Sequence, residues 1–132
     1  MLEIITFLFK LFILSILLHI IDDFVLQPVC LSKLKQKKIW VEHENYSDKY
    51  KNDYKMALFI HSLSWSIMIM FPLLLLNTNI FFLSGILLLN IVIHYIVDNE
   101  KANNFKINLI QDQIIHFVQI IFMYVIFGVM FY

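Results

Sequence analysis

The chain has 132 residues, 61% of them hydrophobic and 16% aromatic, and its ten basic residues balance ten acidic ones. A soluble domain averages about 45–50% apolar residues, so this composition, with a mean hydropathy of +0.78, excludes an ordinary soluble fold and points to one integral membrane domain over residues 1–132. Zero net charge supplies no field to draw in nucleic acid, which is not expected as a partner, and the lone Cys30 excludes an internal disulfide and a multi-cysteine metal knuckle.

The first apolar stretch runs from about Ile4 to about Leu26, interrupted by Lys10. It is close to the roughly 20 residues a helix needs to cross a bilayer. Glu3 stands where a signal peptide would be basic, and no small-residue cleavage site follows, so the stretch is expected to be a retained span. Ser15, His19, Asp23 and Gln27 recur every four residues, which puts them on one helical face. Asp22 lies about 100° away from Asp23 around an α-helix and is expected at the helix end or the interface.

A polar loop follows, over residues 28–55. It holds seven of the ten lysines together with Glu42, Glu44, Asp48 and Asp53. Two readings stand for it: a solvated tether, or in part a surface helix in the headgroup region, marked by Tyr46, Tyr50 and Tyr54. His43, between two glutamates, reads as solvated. The second span, about 56–76, carries a lone His61 with Ser64 nearby. Asn77-Thr78-Asn79 then makes a tight turn. The third span, about 80–97, carries Asn90 and His94 and leads into Asp98 and Lys101. After a polar connection the fourth, about 109–131, carries Asp112, Gln113, His116 and Gln119.

Backbone groups in lipid must be satisfied within the segment, so the spans are helices. The expected fold is all-α: a four-transmembrane-helix bundle, up-down-up-down, with a long polar loop between helices 1 and 2. The first and third loops hold nine of the ten lysines. By the positive-inside rule they are expected in the cytoplasm and both termini outside. Lys10 snorkels toward the outer face.

That topology brings His19, Asp23, His61, His94, Asp98, Asp112 and His116 to one depth on the cytoplasmic side. A single His-x-x-x-Asp pair is explained by a helix-stabilising hydrogen bond; three pairs plus His61 at one depth are not. Intramembrane charge is costly and marks a site, and imidazole with carboxylate is a ligand set for a divalent metal: Zn first, with Mn or Fe as alternatives. All seven are candidate ligands. Asp23, Asp98, Asp112 and His61 are also candidates for acid–base work. Gln27, Asn90, Lys101 and Gln113 would orient ligands, water or substrate, with Lys101 at the mouth to offset the charge of a phosphate.

The sequences His19-Ile-Ile-Asp-Asp23-Phe24-Val-Leu-Gln27, His94-Tyr-Ile-Val-Asp98-Asn-Glu-Lys101 and Asp112-Gln113-Ile-Ile-His116 resemble those of the domain-of-unknown-function family numbered 3307, small multi-pass membrane proteins of bacteria and phages. The resemblance covers nearly the whole chain and implies membrane location. A looser similarity is to predicted membrane-bound metal-dependent hydrolases. The expectation is a membrane-embedded, metal-dependent hydrolase acting on a phosphoester or lipid-linked substrate. The alternatives are a non-enzymatic metal or proton transport or sensing protein, opposed by the apolar outer halves of spans two to four, and a phage accessory membrane protein.

Overall fold

The structure is a computed structural model and describes residues 2–27, 29–42 and 48–131; His43, Glu44 and Tyr46 lie outside the described residues. Helix α1 (Leu2–Ile20) continues directly into a wide π-helical turn, Ile21–Leu26. Helices α2 (Val29–Leu34) and α3 (Lys37–Val41) are short. A 3₁₀ turn, Asp48–Tyr50, precedes α4 (Asp53–Leu74), and α5 (Ile80–Ala102) and α6 (Leu109–Phe131) complete the chain. There is no strand among the described residues. Four segments are long and apolar enough to cross a membrane: Leu2–Leu26, Asp48–Leu74, Ile80–Ala102 and Leu109–Phe131.

Local chemistry sets several boundaries. The Asn79 side chain accepts from the Phe81 N–H at 2.9 Å and caps α5. Asn108 and Gln111 cap α6 reciprocally, each side-chain oxygen accepting from the other's N–H at 3.0 Å. Helix α5 runs through Asp98 and Lys101, beyond the expected end of the third span, because nothing in Asp98-Asn-Glu-Lys101 breaks a helix. Phe105, just past α5, takes a left-handed φ of 54°, a conformation that costs a non-glycine residue about 1 kcal/mol or more.

The four long helices pack as a ring, with α4 and α6 each against both α1 and α5. One end of the ring is an apolar core: Trp65, Ile69, Met70, Leu73, Leu83, Ile86, Ile120, Met123, Tyr124 and Phe127. Leu17, Phe59, Ile67, Leu88, Val92, Ile96, Val118, Ile121 and Val125 point outward and are exposed. Buried polar side chains inside an exposed apolar coat suit a lipid surrounding, since lipid tails accept such a surface at no cost.

The expected polar loop is partly ordered onto this bundle. Helix α2 packs on α4 and α3, and α3 also packs on α4. The expectation of a free solvated tether therefore fails for residues 29–42, whose Leu31, Leu34, Ile39 and Trp40 are partly buried. Tyr50 and Tyr54 fall in different elements, so they do not form a single surface helix.

Candidate metal centre

All seven predicted ionisable residues lie at the polar end of the ring, and six of them are fully or almost fully buried: His19, His61, His94, Asp98, Asp112 and His116. Asp98 is the hub. Its Oδ2 lies 2.6 Å from Lys35 Nζ, 3.4 Å from His61 Nε2 and 3.9 Å from His94 Nε2. Its Oδ1 lies 3.8 Å from His116 Nε2 and 3.7 Å from Lys101 Nζ. Asp112 Oδ1 is 3.3 Å from His116 Nε2, while its Oδ2 accepts from Lys101 and, at 3.2 Å, from Gln113. His94 stacks on His116 at 4.2 Å between ring centroids and on Trp65 at the same distance.

Two ligand sets emerge, Asp23/His61/His94 and His94/Asp98/His116, each with one donor atom per residue within 4.8 Å of the others. Two donors on one tetrahedral ion with bonds of about 2.1 Å stand roughly 3.4 Å apart. The His61–Asp23 separation of 3.6 Å and the His116–Asp98 separation of 3.8 Å are within a few tenths of an ångström of that value, and the full sets, with His94, lie within 4.8 Å and close by a larger shift. His116 Nε2 and Asp112 Oδ1 are within ion-pair range of each other. Both ring nitrogens of His94, the Nδ1 of His116 and single oxygens of Asp22 and Asp23 are buried without a hydrogen-bond partner among the described residues. Such groups are costly in a protein interior unless something satisfies them, and the donor set fits a divalent cation.

His19 stands apart from both sets. Its Nδ1 accepts from the Trp65 indole N–H at 2.7 Å. In the neutral ring the proton is then on Nε2, which donates to Gln113 Oε1 at 3.2 Å. Gln113 in turn donates to Asp23 Oδ2 at 3.2 Å. His19 thus presents no free nitrogen to an ion and instead orients a glutamine that ties Asp23 to Asp112. Gln27 sits with its amide nitrogen 3.3 Å from His61 Nδ1. Asn90 lies a turn deeper, where its Oδ1 accepts from Gln119 at 2.8 Å.

Four residues at or beside the site escape the sequence reading: Trp65, which holds His19 and stacks on His94, and Asp22, Lys35 and Asn103. Asp22 is buried, accepts from Ser64 Oγ at 2.7 Å and lies 3.9 Å from His61, which corrects its expected place at the interface. The cause is the wide turn: Gln27 N–H donates to Asp22 C=O at 2.9 Å, an i→i−5 bond, and the looser winding brings adjacent carboxylates into the bundle together. Lys35 is 5% exposed, although the other described lysines except the half-buried Lys101 are exposed. Asn103, just past α5, holds the Lys35 turn from both sides. It donates to Lys35 C=O at 3.1 Å and accepts from the Lys37 N–H at 2.6 Å. Asn103→Ala is expected to speed hydrogen exchange at the Lys37 amide by roughly tenfold, the equivalent of one lost hydrogen bond of about 1 kcal/mol; unchanged exchange would show that the turn is held elsewhere.

No curated protein and no solved structure matches the chain. Nothing in these comparisons supports the looser resemblance to membrane-bound hydrolases. One family matches, described as "Protein of unknown function (DUF3307)", over residues 11–132. The three His/Asp pairs, His61 and the helices that bring them together all fall within that match, and the chain belongs to this family.

Proposed function

We propose that the protein is a membrane-embedded, metal-dependent hydrolase that acts on a phosphoester or lipid-linked phosphoester at one membrane face. Its spans run up-down-up-down in a bacterial inner membrane, with the site on the lysine-rich cytoplasmic side and both termini outside. The charge balance of the buried cluster carries this reading. Among the described residues, Asp22, Asp23, Asp98 and Asp112 face two ammonium groups, those of Lys35 and Lys101. With the imidazoles neutral and the carboxylates ionised, two negative charges are left over in a buried cluster, where uncompensated charge is expensive. One divalent cation removes that excess.

His94, Asp98 and His116 would hold the ion, and Asp23 with His61 would complete a second position that shares His94. The mixed nitrogen and oxygen set suits Zn, and Mn or Fe accept the same ligand types. Such an ion supplies Lewis acidity and a water of lowered pKa. Asp112 steadies the His116 ring, and Gln113 steadies Asp23. With an ion on His94, Asp98 and His116 and the second position empty, Asp23 Oδ1, which faces His61 and lacks a hydrogen-bond partner among the described residues, is the candidate general base.

Transport or sensing is the second reading. A conducting path needs polar groups across the whole thickness. Beyond the Asn90–Gln119 and Ser15–Tyr124 hydrogen bonds, the interior is filled by Ile69, Met70, Leu73, Leu83, Ile86 and Phe127. That favours a one-sided site. A phage accessory role needs no such ligand set.

The test is metal content by mass spectrometry of detergent-purified protein, wild type beside His94→Ala/His116→Ala. The expected result is about one or two equivalents of Zn, Mn or Fe per chain in the wild type and near-complete loss in the variant, since a three-donor set reduced to one no longer holds an ion. An absence of metal in the wild type, even after reloading, would sink the proposal. Measurable ion flux in liposomes would replace it with the transport reading.

A further inference from the structure

Lys35 and Lys101 have chemistry that a metal centre alone does not require. They come from unconnected elements, the turn after α2 and the last turn of α5, yet both ammonium groups reach Asp98. Both line one cavity of about 230 Å³, which Asp23, Gln27, Ser32, His61, Asp98 and Gln113 also line. The cavity therefore brings Asp23, His61 and Asp98 of the ligand sets together with the buried Lys35 and the half-buried Lys101. Three neutral polar groups, the Gln27 and Gln113 amides and the Ser32 hydroxyl, complete its polar lining.

We propose that Lys35 and Lys101 form a phosphate-holding pair beside the His/Asp centre, and that the ligand is a phosphate monoester. The proposal rests on the metal-centre reading, because the carboxylates that now engage both lysines must turn to an ion before the lysines face an anion. Charge supports a monoester: once an ion engages the carboxylates, the two ammonium groups carry the two positive charges that match a monoester dianion, which has close to two negative charges at neutral pH. With no arginine in the chain, lysine is the residue left for the task, and it binds phosphate well as a point charge. The backbone at Lys35 is also held in place, by Asn103.

The rim of the cavity is apolar. Phe24 and Leu109 line it and are 60% and 57% exposed. Phe105, 74% exposed on its left-handed backbone, lines the adjoining cavity together with Lys35 and Lys101. A cationic floor under an apolar rim at a membrane face suits a phosphate carried on an acyl chain as well as a free one.

Binding of inorganic phosphate to the metal-loaded protein in detergent, followed by titration calorimetry, tests the pair. Parallel samples in phosphatidylcholine nanodiscs with and without phosphatidic acid separate the lipid source from the free one. Wild type is expected to bind at least one of these two probes. Lys35→Met and Lys101→Met are each expected to weaken that binding roughly tenfold to a hundredfold, the worth of one charge-assisted hydrogen bond. Lys35→Arg should retain most of the affinity, and Lys33→Met, at an exposed position, should retain all of it. Binding of phosphatidic acid alone assigns the headgroup as the source and supports the pair. Metal content is measured on every sample, and retained metal in Lys35→Met shows that this variant folds. A metal-loaded wild type that binds neither probe, or lysine variants that bind as wild type does, overturns the pair and leaves the metal centre standing. A wild type without metal takes both down.

Discussion

Asp98→Asn is expected to abolish most of the stabilisation that added Zn or Mn gives the protein. The substitution keeps the size and one acceptor for Lys35 but removes the charge at the hub of the cluster. Asp98 belongs to the His94/Asp98/His116 set and lies within 3.9 Å of three imidazoles. Loss of a ligand should cost more than loss of a supporting group, for which tenfold to a hundredfold in affinity is usual. A metal at about 1,000 times its Kd stabilises the folded state by about 4 kcal/mol; a hundredfold loss of affinity at the same concentration removes about 2.7 kcal/mol of that. Without metal the substitution also costs stability. The buried Lys35 ammonium loses the carboxylate it pairs with at 2.6 Å, so metal-free Asp98→Asn should be less stable than metal-free wild type by about 3–5 kcal/mol. Unfolding in detergent, with and without the ion, reads both effects. An equal response to metal in the two proteins would remove Asp98 from the ligand set.

Trp65→Ala is the second large effect, with an expected loss of about 3–5 kcal/mol in the same assay. Trp65 is fully buried and bridges the two halves of the interior. It belongs to the apolar core with Ile69 and Phe127, yet its ring stacks on His94 and its N–H holds His19. In lipid the penalty arises from lost packing and not from exposure to water. Trp65→Phe separates the two roles. It keeps most of the volume and leaves His19 Nδ1 without its donor, at a cost of about 1–3 kcal/mol for a buried unsatisfied group. If Trp65→Phe is neutral, the indole hydrogen bond does not fix His19.

The parts of the site legible in the sequence are those whose signal is local. His94/Asp98 and Asp112/His116 lie one turn apart on regular helices, and a spacing of four is enough to place both side chains inward. Four apolar runs of spanning length made the helices equally legible. The missed residues depend on information that spacing does not carry. Asp22 faces inward only because the backbone widens there. Lys35 is one of seven lysines in its segment, and its burial follows from where the α2–α3 turn docks on Asn103. Trp65 reads as one more apolar residue on an apolar helix, although its indole hydrogen sets the tautomer of His19. His19 was legible as a site residue but not as a positioning one, because spacing says nothing about what its nitrogens meet.

The widened turn at Ile21–Leu26 also fixes a bookkeeping of residues along the first span. A π turn accommodates one more residue than an α-helix would over the same stretch. Deleting a single residue within Ile21–Leu26 should let the segment rewind as α-helix and keep Gln27 near its present height. Only one of two adjacent carboxylates would then face inward. Here an amino-acid deletion acts as a switch of phase: it changes how many acids the first helix delivers to the interior while leaving the helix itself, and its depth in the bilayer, nearly untouched.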